Sequence, residues 1–264
     1  MRRSASPPPA DVDPVRQQVR QAAGRLELAG VPSPWPDAVT LAREALARTD
    51  GGLFETADTP SAAFTQMFQE WVARRAMREP LQHVIGHTWF GGVRIETAPG
   101  VFIPRPETEL LAAEAAAAAA GVGPAVVVDL CTGSGAIAAA IAARVPSARI
   151  WAVDVDAAAA ALATRNAPPH GVHVVLEDAA SALAELDGTV DVVASNPPYI
   201  PPDAVPRERE VLDWDPPRAL YGGGADGLDV PRAVVIAAAR LLRPGGLFLM
   251  EHADVQGAAV RELV

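Results

Sequence analysis

The sequence has one cysteine, Cys131, among 264 residues, so no disulfide can form within the chain. That usage fits a reducing cytoplasm. Basic charge is scarce too. The chain carries 22 basic residues against 32 acids, a formal net charge of -10. A protein that grips nucleic acid through its phosphates presents a basic face, and direct nucleic-acid binding is not expected here. No secretory leader is expected: the opening "MRRSASPPPA" has two arginines with no apolar segment behind them. Residues 1–10 are expected to form a disordered tail. The longest apolar-looking run, Leu110 to Leu130, contains Glu114 and Pro124 and is mostly alanine. Alanine buries too little surface to hold a membrane span, so a helix followed by a strand is expected there. No metal site is expected. His83 and His87 are four apart, but Val84-Ile85-Gly86 between them offers no acid and includes a helix breaker. There is no internal repeat.

Half of the residues are hydrophobic and a fifth are charged, as in a soluble globular chain long enough for one large domain or two smaller ones. Residues 11–85 carry helical periodicity. "DAVTLAREALA" (37–47) gathers Val39, Leu41, Ala42 and Leu46 near one face, with Asp37 as the expected cap after Pro36. "SAAFTQMFQEWVARRAMREP" (61–80) spaces Phe64, Met67, Phe68, Trp71 and Val72 for a helix, with Ser61 at its start and Pro80 as its stop. These aromatics are expected to be core. Residues 86–105 shorten into a connecting hairpin. From 106 to 264 helices and mostly apolar strands alternate: helix 106–119, strand 125–130, helix 135–144, strand 149–155, helix 157–166, strands 173–178 and 191–195, helix 229–242, strand 247–251 and helix 253–263. That alternation predicts an α/β fold, a doubly wound, mainly parallel Rossmann-like sheet, preceded by a small N-terminal helical domain.

Three strand ends carry acids: Asp129, Asp154 and Asp178. The first is followed by Cys131-Thr132-Gly133-Ser134-Gly135, a turn whose glycines permit tight geometry and close ligand approach. Asp154, 21 residues after Gly133, is placed to accept hydrogen bonds from ribose hydroxyls. Gly133 to Ala138 also fits the permissive dinucleotide pattern, so NAD competes with S-adenosylmethionine. A pyrophosphate avoids nearby carboxylates and a cationic sulfonium suits them, so the acids favour S-adenosylmethionine. "VVASNPPYIPP" (192–202) then ends a strand on Asn196. Its side-chain oxygen accepts hydrogen bonds, and Pro197 and Pro198 have carbonyls but no N–H. With Tyr199 alongside, the stretch suits a planar NH2 group, held by the Asn196 oxygen and the Pro197 carbonyl with its lone pair aimed at the cofactor methyl.

"NPPY" after such a cofactor half resembles the amino methyltransferases. "MREPLQHVIGHTWFGG" (77–92), "GVFIPRPETELL" (100–111) and "DPPRALYGGGADGLDVPRAV" (215–234) together resemble the release factor glutamine methyltransferases. The resemblance implies methyl transfer from S-adenosylmethionine to the N5 amide nitrogen of the glutamine in a Gly-Gly-Gln loop. The partner it implies is a peptide-chain release factor, and the enzyme a cytoplasmic monomer with no membrane contact. It further implies that Asp129, Cys131, Thr132, Gly133, Ser134, Gly135, Asp154, Asp178, Ala179 and Asn196 surround the cofactor. Asn196, Pro197, Pro198 and Tyr199 would hold the glutamine, with Asn196, Pro197 and Tyr199 closest to the chemistry. Arg105 and Glu107 would order the pocket wall, and the helical domain would grip the release factor. Three features depart from the family pattern. Cys131 stands where a glycine is usual, Ala179 where an aromatic can pack on adenine, and a last antiparallel hairpin is not found after "RELV". The alternatives are a methyltransferase for a ribosomal-protein glutamine or for a nucleic-acid base, and an inactive cofactor-binding module that docks on a partner.

Overall fold

The computed structural model describes residues 14–50, 60–168 and 171–263, so the expected tail lies outside the described residues. The chain divides into two compact units, one ending at Ile85 and one beginning at Gly86. The first is helical: α1 (Pro14–Leu28), α2 (Pro34–Thr49), α3 (Ala62–Ala76) and the short α4 (Leu81–Ile85). α1 buries Val15, Val19, Ala22 and Leu26, one stripe at helical spacing. α3 buries Phe64, Phe68, Trp71 and Val72, and the two phenylalanine rings stack with centroids 5.5 Å apart. The Ser61 hydroxyl caps α3 by accepting the Phe64 N–H at 3.0 Å.

Two local expectations change. Asp37 does not cap α2. The helix begins earlier, at Pro34, because proline's fixed φ suits a first helical turn. Asp37 therefore falls inside the helix, where it is buried and accepts from Arg75 Nε at 2.8 Å. Nor does Pro80 stop α3. The helix already ends at Ala76, where the Met77 N–H turns back onto the Ala73 and Arg74 carbonyls and Arg78 takes φ 68°. Removing Asp37 takes the carboxylate partner from the buried Arg75, leaving its Nη1 bond to Glu79 O. Asp37→Ala is expected to destabilise this unit by about 3 kcal/mol, read from urea unfolding.

The second unit opens with the antiparallel hairpin β1 (His87–Phe90) and β2 (Val93–Glu96). A 3-10 turn, Pro106–Thr108, leads into α5 (Glu109–Ala120). Then follow β3 (Val126–Leu130), α6 (Ala136–Arg144), β4 (Arg149–Asp154), α7 (Ala157–Asn166), β5 (Val172–Leu176), β6 (Val190–Ser195), α8 (Arg209–Trp214), α9 (Asp229–Leu241), β7 (Leu242–Met250) and α10 (Gly257–Arg261). Strands β3 to β7 form one parallel sheet in the order β5-β4-β3-β6-β7.

Alternation along the strands feeds two cores. Val127, Ile150, Ala152, Val192 and Ala194 join the alanine-rich faces of α5 and α6. Val126, Val128, Leu130, Val153 and Val193 join Val234, Ala237, Ala238 and Leu241 of α9. β7 starts five residues before the expected strand and includes Pro244, Gly245 and Gly246. It lies at the end of the sheet order, where a proline removes no needed ladder bond, and its register with β6 shifts between Val190 and Val192. Among the described residues no helix is long and apolar enough to cross a membrane. The chain builds β3, β4 and β5 in one direction and returns to place β6 and β7 on the other side of β3. The reversal leaves a crevice beyond the carboxyl ends of β3 and β6, where open α/β sheets hold ligands.

Candidate active site

A cavity of about 430 Å³ lies at that crevice. Its wall includes Cys131, Thr132, Gly133, Ser134, Asp154, Asp178, Ala179 and the run Asn196 to Tyr199. Leu130 and Ser195 are register partners, so Cys131 and Asn196 leave neighbouring strands side by side. Asp129 and Gly135 do not line the cavity. Asp129 points to the α6 side of β3, where it is fully buried and its Oδ2 accepts from Thr132 Oγ1 at 2.5 Å and from the Ala138 N–H at 3.2 Å. Burial pushes its carboxyl up to about 7. Gly135 serves packing: a Cβ there would sit 3.0 Å from the Ala163 Cα and Cβ.

At Gly133 a Cβ would meet nothing within 4 Å, so the turn has open room above it. The Gly133 N–H donates to Asp154 Oδ2 at 2.8 Å, and the Asp156 N–H donates to Asp154 Oδ1 at 2.9 Å. Each oxygen keeps a lone pair for a ligand hydroxyl. Asp178 is exposed at the rim, with Oδ1 accepting from the Ala180 N–H at 2.9 Å. Room above a glycine, a fixed carboxylate for a ribose and a second acid one strand further fit S-adenosylmethionine. Cys131 has φ 59°, the left-handed conformation that favours glycine. Its thiol is pushed up to about 12, first by burial and then by Asp154, so it stays protonated.

On the other side of the crevice Asn196 Nδ2 donates to Thr108 Oγ1 at 3.2 Å. Thr108 is buried at the start of α5. With its nitrogen engaged by Thr108, the Asn196 carbonyl oxygen is the group of that side chain suited to accept from a ligand. Among the described residues the Pro197 carbonyl accepts no hydrogen bond. The backbone beyond is held by glycines. A Cβ on Gly222 would lie 2.6 Å from the Pro198 oxygen, and one on Gly227 would lie 2.4 Å from the Tyr199 oxygen. The Ile200 N–H donates to Leu220 O at 2.8 Å, and the Gly222 N–H to Ile200 O at 3.1 Å.

The long loop after residue 200 thus forms cavity wall through Val211, Pro216, Arg218, Ala219 and Leu220. Arg105 stacks over Phe102 at 5.0 Å and pairs with buried Asp215 at 2.5 Å, joining two segments of the wall. Burial of Asp215 outweighs Arg105 and pushes its carboxyl up to about 6. Glu107 is exposed and does not line the cavity. Thr108, Gly222, Gly227 and Asp215 were not singled out from the sequence. The family-like segments 100–111 and 215–234 contain all four, but their roles depend on packing between distant stretches.

The parallel sheet, the acid at the end of β4 and the amide at the β6 tip fit an S-adenosylmethionine-dependent methyltransferase. A family model described as a methyltransferase small domain matches residues 92–208, and the model of the PrmC N-terminal domain matches residues 17–86. Release factor glutamine methyltransferase of Streptomyces coelicolor is 46% identical over 246 residues, covering 92% of this chain and 86% of that one. The enzyme of the same name from Bifidobacterium longum is 40% identical over 256 residues, covering 90% and 87%. A 4-amino-L-phenylalanine/4-methylamino-L-phenylalanine methyltransferase of Streptomyces pristinaespiralis is 42% identical over 255 residues, covering 94% and 86%. The chain belongs to the release factor glutamine methyltransferase family.

Two expectations follow from this geometry. Cys131→Val places a β-branched residue in the left-handed region and should cost about 2 kcal/mol, whereas Cys131→Gly should keep or raise the melting temperature. Asp129 gives a pH signature. Its folded value lies above the unfolded one, so the folded state binds the extra proton. Its contribution is fully present below the unfolded value of about 4 and is lost as pH rises toward about 7. Asp129→Asn should flatten that decline in urea-unfolding stability across the same window.

Proposed function

We propose that the chain methylates the N5 side-chain amide nitrogen of the glutamine in the Gly-Gly-Gln motif of a peptide-chain release factor. The carrying observation is the Asn196–Thr108 hydrogen bond, which leaves two carbonyl-type acceptors, Asn196 Oδ1 and Pro197 O, at the tip of β6. Two acceptors match the two hydrogens of a planar primary amide. The names carried by relatives across most of the chain support the same acceptor class.

S-adenosylmethionine, when bound, supplies the electrophilic methyl group. Asp154 would hold its ribose, the Gly133 turn would give its backbone close approach, and Asp178 beside Ala179 would meet the adenine end. Asn196 and Pro197 would orient the glutamine nitrogen. An amide lone pair is delocalised and weakly nucleophilic, so fixed hydrogen bonds and in-line alignment are the protein's contribution. As the C–N bond forms and the methyl–sulfur bond breaks, with sulfur keeping the electron pair as a neutral thioether, positive charge develops on nitrogen and strengthens both bonds to the carbonyl oxygens, which favours the transition state over the bound amide. The acidified N–H proton is then lost to solvent. The Tyr199 phenol is pushed up to about 12, first by burial and then by Glu251, so it stays protonated and serves as a wall rather than a base. The reading places one copy of the chain at work in the cytoplasm.

Mass spectrometry of a release factor incubated with the chain and S-adenosylmethionine should show a single added methyl on the Gly-Gly-Gln glutamine. Asn196→Ala should slow its appearance by about 100-fold. An unmodified glutamine, or methyl transfer to free 4-amino-L-phenylalanine in its place, would overturn this acceptor.

A further inference from the structure

The segment that follows β7, residues 251–256, grips the acceptor motif at two points. The Tyr199 hydroxyl donates to Glu251 Oε1 at 3.2 Å. The backbone carbonyl of the same tyrosine accepts from Gln256 Nε2 at 2.8 Å. Gln256 is buried, with 6% of its surface exposed, and its amide is extensively engaged. Nε2 also donates to Asp226 O at 2.9 Å, and Oε1 accepts from the Ala253 N–H at 3.2 Å. One side chain therefore ties together the stretch after Asn196, the glycine run ending at Gly227 and the turn after β7. Glu251 is itself fixed, because its N–H continues the sheet ladder onto Ser195 O at 3.0 Å, one residue before Asn196.

Such a hub sets position. Pro197 and Pro198 cannot donate backbone hydrogen bonds, so the acceptor stretch cannot be held by its own ladder. Its geometry must be imposed from outside. The Gln256 amide does this with two donors aimed at two carbonyls that belong to different loops. A carboxylate of the same shape would face those carbonyls with lone pairs instead, and only its protonated form could restore one donor.

We propose that Gln256 and Glu251 are positioning residues for methyl transfer: they clamp Tyr199 at its backbone and at its ring tip, and so set the place of the Pro197 carbonyl and the Asn196 amide. The inference rests on the acceptor assignment above, and its test separates the two. In single-turnover assays with saturating S-adenosylmethionine and release factor, Gln256→Glu should transfer methyl about tenfold more slowly than the wild type near pH 8. The deficit should shrink to about threefold near pH 6 as the new carboxyl is protonated. Affinity for the cofactor should not change. Glu251→Leu, which alters only the ring-tip contact, should lower the single-turnover rate a few-fold without the pH effect and carries the test if Gln256 variants fail to fold.

Hydrogen exchange gives a readout that needs no methyl acceptor. Both variants should speed exchange of the Ile200 and Gly222 amides and leave those of Gly133 and Gly135 as in the wild type. Wild-type transfer rates and wild-type exchange at Ile200 would overturn the inference. So would a rate loss matched by an equal loss of cofactor affinity, which would mark a general structural defect. A wild-type protein that does not methylate a release factor would overturn the acceptor assignment alone, because the exchange result would still decide the clamp.

Discussion

The pairing of β3 with β6 is the constraint on which the site depends. It is a pairing between strands distant in sequence, and its register sets Leu130 against Ser195. From that one match Cys131 and Asn196 emerge side by side, one opening the glycine turn and the other opening the acceptor motif. Slide the register by a residue and every side chain on β6 changes face. The apolar residues of both strands resist such a slip because Val127 and Val192 feed one core while Val128 and Val193 feed the other.

Around that pairing, polar groups are arranged so that each half of the crevice is fixed by side chains not themselves expected at the chemistry. Thr108 holds the Asn196 amide, Asp154 holds the Gly133 amide, and Arg105 holds Asp215. Buried polar groups are costly when unpaired, so these partners restrict the wall to one arrangement. Fixed dipoles suit an acceptor nitrogen with little intrinsic reactivity, since alignment is most of what a protein can supply to it.

Backbone shape adds a second layer. Gly133 leaves room for a ligand, Gly135 lets α6 approach α7, and Gly222 and Gly227 let one loop lie against the carbonyls of another. These four glycines look alike in a sequence and do three different jobs. Cys131 takes a left-handed conformation with a side chain attached, between a buried strand and the turn that opens the cofactor half.

Period and punctuation in the chain were enough to determine the alternation of the main helices with the strands of the sheet, the parallel sheet, the glycine turn and the place of Asn196 at a strand tip, but not the short helix α8 in the loop after residue 200. These are local properties: strand alternation, glycine spacing and a proline-closed strand end act over a few residues. Helix bounds shifted where two local signals competed, as at Asp37, where Pro34 started the helix first. Tertiary structure alone decided that Asp129 and Gly135 stand behind the cavity wall, because the face of a strand and the approach of a neighbouring helix depend on packing. It also decided that Thr108, Asp215 and Gln256 reach the acceptor side, through contacts spanning 88, 110 and 57 residues of chain. No spacing rule links residues that far apart, since their distance is set only when the sheet closes the loops between them.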